Sequence, residues 1–151
     1  MALQIHRADT DVRITACFDV MHELRPHLEQ AEFVETVKWM EEYDTFRLAY
    51  GTDHNSIVIV AGYRLCHFLA WGRTLYVDDL VTAESHRSHG YGRLMLEWLR
   101  EEASAEGCES LQLDSSLWRK DAHRFYEREG LEKTSFHFST ASSPASEEDN
   151  Q

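Results

Sequence analysis

Residues 87–93 read Arg-Ser-His-Gly-Tyr-Gly-Arg, with two glycines two apart and a basic residue at each end. They lie between a β-rich run, "LYVDDLVT", and a strongly helical one, "LMLEWLREEASAEG". Glycines let backbone approach a ligand with no Cβ in the way. The first N–H groups of the following helix have no intrahelical acceptor and face whatever sits at its end. That end carries positive partial charge, to which Arg87 and Arg93 add, so a pyrophosphate is the natural guest. The chemistry of a nucleotide P-loop is absent, because Gly92 is followed by Arg93 and Leu94 rather than Lys and Ser/Thr. A dinucleotide loop fails too. Its third glycine would fall at Met95, and the polar stretch "AESHR" separates the loop from the strand.

Other reactive side chains stand nearby. Asp78 and Asp79 are adjacent in the β-rich run, so in a regular strand they point to opposite faces and at most one lines a site. His86 and His89 are three apart, but no third ligand accompanies them, and no metal is expected. No Gly-x-Ser-x-Gly element or Cys–His nucleophile signature is present.

The elements that must position these groups follow from periodicity. Leu3–Ala8 alternates as a first strand. A helix follows, with Val12, Ala16, Val20 and Leu24 as its stripe, Cys17 and Met21 beside it, and Asp9, Thr10 or Asp11 as cap; Pro26 ends it. A second helix places Phe33, Val37 and Met40 on one face. "TFRLAYG", "SIVIVAGYRLCHFLAWG" and "RTLYVDDLVT" read as an antiparallel meander, bent or broken at Gly62. The helix from Tyr91 buries Leu94, Met95, Trp98, Leu99 and Ala103 and stops at Gly107. "SLQLD" is a short strand. Trp118, Ala122, Phe125 and Tyr126 form the stripe of a shorter helix stopped at Gly130, and "EKTSFHFS" is a last strand. The four tryptophans read as packing residues. The fold class is α/β, with a mixed, mostly antiparallel central sheet and flanking helices. The strands either side of the 91–106 helix form a crossover unit and should be parallel. Residues 1–139 read as one domain and 140–151 as a disordered acidic tail.

"LVTAESHRSHGYGRLML" resembles the acetyl-CoA loop of the GNAT superfamily of N-acetyltransferases: a strand, then Arg/Gln-x-x-Gly-x-Gly/Ala, then a helix, matched by Arg87, Gly90 and Gly92. "LQLDSSLWRKDAHRFYEREG" is similar to the family's next strand and helix, matched by Ala122, Phe125, Tyr126 and Gly130. The segment "DAHRFYEREG" looks most like the aminoalkylphosphonate N-acetyltransferases and their small-molecule relatives. The chain departs from the pattern at Arg119, where many members carry Asn, and at Glu84, where a proline often stands.

The resemblance implies acetyl-CoA as co-substrate, gripped by Arg87, Ser88, His89, Gly90, Tyr91, Gly92 and Arg93, with backbone N–H groups of Leu80, Val81 and Thr82 on pantetheine and thioester oxygens. It places Asp79 where many members carry a catalytic Glu, and Tyr126 where a tyrosine protonates the CoA sulfur. An alkylamine with pKa near 10.4 is neutral in only about one molecule per thousand at pH 7, so some group must take its proton. Asp79 is the first candidate, Glu84 the second, with His123 and His137 behind them. Tyr126 also reads as a packing residue beside Phe125.

Bulk properties set the partners. A net charge of −12 argues against nucleic acid. No window reaches the ~18 apolar residues of a membrane span. Cys17, Cys66 and Cys108 are odd in number and widely spaced, which fits a reducing compartment and a cytoplasmic protein. The expectation is an N-acetyltransferase acting on a primary amine of a small molecule by direct attack in a ternary complex. A protein or peptide N-acetyltransferase and a non-catalytic acyl-CoA-binding module are the alternatives. Dimers are common in the resembling family, so a homodimer is the expected assembly.

Overall fold

The computed structural model describes residues 3–143. It contains two compact units, one ending at Leu113 and one beginning at Asp114. Most of the expected acidic tail, residues 144–151, lies outside the described residues.

The first unit is a five-stranded sheet in the order β1-β2-β3-β4-β5. The strands are β1 (Gln4–Arg7), β2 (Phe46–Asp53), β3 (Ser56–Phe68), β4 (Gly72–Thr82) and β5 (Ser110–Leu113). Neighbours are antiparallel except β4 and β5, which run parallel, as their helical crossover requires. Helices α1 (Asp11–Ala16), α2 (Phe18–Leu24) and α3 (Gln30–Tyr43) precede β2. Helix α4 (Tyr91–Ala105) forms the crossover, entered through a short 3-10 turn at Glu84–His86.

Strand alternation divides the core. Ile14, Phe18, Met21, Phe33 and Val37 pack against Phe46, Leu48, Val60 and Val81 on one face. Met95, Leu99 and Ala103 of α4 pack with Ile59, Ala61, Tyr63, Leu75 and Val77 on the other. Polar bonds pin the C-terminal half of α4 to the sheet. The Tyr63 hydroxyl donates to Glu102 at 2.5 Å, and Arg47 meets Glu106 at 3.1 Å. Helix α4 ends in a Schellman motif: Gly107 takes φ +72°, with Cys108 N–H on Ala103 and Gly107 N–H on Ser104.

The first helical region differs from its expected stripe. It breaks at Cys17 into two short helices, and Val12 is 79% exposed while Ile14, Cys17, Phe18 and Met21 are buried. Ile14, Phe18 and Met21 are larger than Val12 and Ala16 and remove more surface from water on the inward face. Thr10 caps α1, its side chain accepting from the Arg13 N–H at 3.2 Å. Pro26 disfavours helical backbone at the residue before it, and Arg25 leaves α2 with φ −121° and ψ 72°. Only Trp98 of the tryptophans packs against the core, edge-on to Tyr63; Trp39, Trp71 and Trp118 are exposed.

Strand β3 is one long strand, and the irregularity expected at Gly62 is real. Gly62 pairs with Asp79 and Tyr63 with Val77, so Asp78 is an extra residue that bulges β4. The glycine is needed for space. A Cβ there would meet the Phe46 ring at 2.6 Å and Asp79 Oδ2 at 3.0 Å.

The second unit holds α5 (Lys120–Arg128), closed by the same pair of C-terminal bonds at Gly130, which takes φ +90°. The last strand expected at 132–139 does not form. Those residues carry no ladder, and Phe136 and Phe138 are 79% and 91% exposed, so alternation there lacks the buried face that would fix it as a strand.

Phe46 is buried, so its ring must shift against packed neighbours to admit a Cβ at Gly62. Gly62→Ala should therefore destabilise the protein by about 1–3 kcal/mol in urea unfolding, the usual range for overpacking a filled site. An unchanged midpoint would show that the ring yields freely.

Candidate active site

The site grows from the end of β4. Strand β3 pairs with β4 along Gly72–Thr82, whereas β5 pairs with it only over Thr74–Val77. Past Val77 the ladder with β5 stops, and among the described residues no other strand pairs with that edge of β4. Antiparallel strands turn alternate residues toward each neighbour. Ala83 donates to Val58 of β3 at 2.8 Å. By that alternation Val81 also faces β3, while Leu80 and Thr82 present their N–H and C=O groups to the open edge. Val81, one of the three expected backbone contacts, instead contributes a buried side chain to the core.

The chain then passes through the 3-10 turn at Glu84–His86 into the glycine loop. Arg87 is extended, Ser88 takes φ +67° and Gly90 takes φ +79° as the N-cap of α4. A glycine cap offers no side-chain acceptor, and the first turn holds no acidic residue. The first helical bond runs from Leu94 N–H to Gly90 at 3.2 Å, which leaves the N–H groups of Tyr91, Gly92 and Arg93 facing outward. A Cβ built at Gly90 meets nothing within 4 Å, so the approach to these donors is open. Arg87 is exposed, and Arg93 stands 3.8 Å from Glu97 on the helix surface. Uncapped donors, open space and two cations fit a pyrophosphate-bearing ligand.

Not every loop side chain is free for that work. Tyr91 is buried, its hydroxyl donating to the Asp53 carboxylate at the end of β2. That bond holds Asp53 below the usual carboxylate range and raises the Tyr91 phenol. The His89 ring lies against Tyr91, 5.5 Å between centroids and 14° between planes, and its Nδ1 is 2.9 Å from the His86 carbonyl. Tyr91 and His89 thus anchor the loop through their side chains. Among the described residues, no three His, Cys, Asp or Glu side chains group as a metal would need.

The acidic pair departs from the regular-strand expectation. The bulge at Asp78 cancels the alternation, and both carboxylates reach the face covered by α1–α3. Asp78 is gripped by Arg64 of β3, through Nε at 2.9 Å and through Nη2; the same guanidinium lies 5.9 Å from the Phe46 ring centroid. Asp79 accepts from Arg25 Nε at 2.8 Å, and Arg25 Nη2 donates to the Asp78 carbonyl at 3.2 Å. Burial pushes the Asp79 carboxyl above its ordinary range, and the hydrogen bond and charge of Arg25 oppose that shift. Sequence reasoning missed both arginines. Arg64 carried a signal, being a cation inside an apolar strand that must find a partner. Arg25 carried none, because its contact spans 54 positions.

Glu84 is exposed on the 3-10 turn, and its backbone N–H donates to Glu23 at 2.8 Å. Asp79, Leu80–Thr82, Glu84 and residues 87–93 follow one another along the chain from the end of β4 to the start of α4, all in the first unit. Tyr126 belongs to the second unit, on α5. It is half-buried; burial raises its phenol, with Arg119 acting the other way, so it is a protonated donor at neutral pH. His123 is engaged with the Ser116 carbonyl at 2.8 Å, and His137 is 3.7 Å from Asp114. Burial raises the thiols of Cys66 and Cys108, which lowers their thiolate fraction.

Comparison with known proteins agrees with this architecture. The Acetyltransferase (GNAT) family profile matches residues 14–131. The uncharacterized N-acetyltransferase YhdJ of Bacillus subtilis is 30% identical over 109 residues, covering 72% of this chain and 77% of that protein. The aminoalkylphosphonate N-acetyltransferase of Salmonella typhimurium is 38% identical over 65 residues, 43% of this chain and 42% of that one. Among solved structures, the aminoglycoside N-acetyltransferase AAC(6')-Iy, in complex with CoA, superposes with TM-score 0.81 at 11% identity over 92% of this chain and 93% of that one. The likeness in fold, the glycine loop at the crossover helix and the match over most of the chain lead to one conclusion: the protein is an acyltransferase enzyme and belongs to the GNAT family of acetyltransferases.

Proposed function

We propose that this enzyme moves acetyl from acetyl-CoA to a primary amine of a small molecule, by direct attack in a ternary complex. One observation carries the reading: the edge of β4 left without a strand beyond Val77 is followed, after the 3-10 turn at Glu84–His86, by Arg87–Arg93 and the uncapped N-terminus of α4. The relatives named as aminoalkylphosphonate and thialysine N-epsilon-acetyltransferases support a small-molecule amine as acceptor. The three free cysteines support a reducing, cytoplasmic setting.

Acetyl-CoA supplies the acyl group as a thioester, whose carbonyl carbon is open to a neutral amine. The chain's own groups do the rest. The N–H groups of Tyr91, Gly92 and Arg93, with the charges of Arg87 and Arg93, hold the pyrophosphate. The outward N–H groups of Leu80 and Thr82 hold the carbonyl side and stabilise charge that develops on its oxygen. Asp79 takes a proton from the acceptor ammonium, with Glu84 as the exposed route to solvent. The nitrogen lone pair then forms the C–N bond as the C–S bond breaks. Tyr126 gives its proton to the departing thiolate and is reprotonated by the second proton of the amine, directly or through water. The products are an amide, a free thiol and one proton released from Asp79.

The direct test is free-thiol release from acetyl-CoA against a panel of small amines, aminophosphonates and peptides. Turnover on small amines is expected; CoA binding with no turnover on any acceptor overturns the reading. Tyr126→Phe should lower kcat by about 100-fold or more, the usual scale for a positioned acid, with KM for acetyl-CoA little changed. Gly92→Val should raise KM for acetyl-CoA about tenfold, equal to about 1.4 kcal/mol. Its thermal unfolding should stay near wild type, because valine is a better helix former than glycine.

A further inference from the structure

We propose that Arg25 is the positioning residue of the acetyl-transfer site: it holds the Asp79 carboxylate and the bulged backbone at Asp78 in the arrangement from which Asp79 takes the acceptor's proton. This deepens the acetyltransferase reading and rests on it.

Four observations converge on Arg25. Pro26 forces the chain out of α2 at this residue, so Arg25 sits at a fixed corner rather than on a helix face. Its guanidinium makes a two-pronged contact, Nε to the Asp79 carboxylate and Nη2 to the Asp78 carbonyl. The fork therefore reads the bulge and the carboxylate together, which a point charge such as Lys does not reproduce. The second arginine, Arg64, is committed elsewhere. It grips Asp78 and stands 4.0 Å from Asp44 at the end of α3. Finally, the Asp79 side chain is 16% exposed and that of Arg25 43% exposed, so the acid lies inward and its partner toward water.

The charges around Asp79 are then Arg25 at the end of α2, Arg64 on β3 and Asp78 beside it, with Asp44 reaching the group only through Arg64. Asp78 and Arg64 offset each other. Arg25 is left as the cation that opposes the upward push of burial on Asp79. The sign follows directly. Removing Arg25 removes an interaction that favours the carboxylate, so Asp79 then ionises only at higher pH.

The test compares wild type, Arg25→Gln, Arg25→Lys, Asp79→Asn and the double variant Arg25→Gln/Asp79→Asn. Each is followed by thiol-release kinetics across pH and by carbon NMR of the Asp79 carboxyl in the free protein. In Arg25→Gln the Asp79 titration and the acid limb of kcat/KM should both move up by about one pH unit. Neighbouring opposite charges shift carboxylates by about 1–3 units, and this arginine is half-exposed. Activity should fall about tenfold below the limb and recover above it. Arg25→Lys should restore part of the shift, and it carries the test if the Gln variant does not fold. In the Asp79→Asn background the Arg25 change should have no further effect, since it acts through that carboxylate. An equal loss at every pH, an unmoved carboxyl titration, or additive losses in the double variant would overturn the proposal while leaving acetyl transfer intact. Failure of wild type to release thiol with any amine would instead remove the acetyltransferase reading, and the NMR titration would still report on the Arg25–Asp79 contact.

Discussion

Every buried backbone N–H and C=O needs a partner, and strand β4 meets that demand unequally on its two sides. Strand β3 pairs with one edge along Gly72–Thr82, interrupted only by the bulge at Asp78, and β5 pairs with the other only as far as Val77. Among the described residues no strand takes up the remaining backbone groups on that edge. The crossover helix begins at Tyr91, shortly after β4 ends at Thr82, with unpaired N–H groups of its own. Much of the site is thus backbone, placed by where a ladder stops and a helix starts. The side chains of the loop mainly hold that arrangement in place, as the Tyr91–Asp53 bond and the His89–Tyr91 stack do.

The bulge at Asp78 is the second determinant. It breaks the two-residue rhythm of β4 and brings adjacent carboxylates to one face, which would be unfavourable if both stayed uncompensated. Two arginines from different elements answer them, one from the neighbouring strand and one from the corner at Pro26. Gly62 leaves the space beneath. A packing constraint, a ladder irregularity and a charge pair therefore meet at one point on the sheet.

The glycine loop was readable from sequence because its chemistry is local: uncapped donors, small residues and cations within seven positions. The helix stops at Gly107 and Gly130 were readable for the same reason. The meander and crossover followed from element order. The face of α1 was not, because Val12 and Ile14 both satisfy an approximate helical period and only tertiary burial chooses between them. The orientation of Asp78 and Asp79 was hidden behind a bulge that depends on the register of β3. A last strand at 132–139 was expected from alternation alone, which does not supply a partner strand.

The bond from Tyr91 to Asp53 ties the first residue of α4 to the turn between β2 and β3. That turn is a two-residue hairpin with His54 and Asn55 both at positive φ, a geometry that matches the twist of its strands. Strand β3 has another turn at its far end, around Leu69–Trp71, separated from the Asp53 anchor by the full 13 residues of the strand. The two ends of one strand therefore differ in evolvability. Chain length can drift at the far turn without reaching the loop, whereas an insertion at His54–Asn55 would move the Asp53 anchor and carry the start of the crossover helix with it.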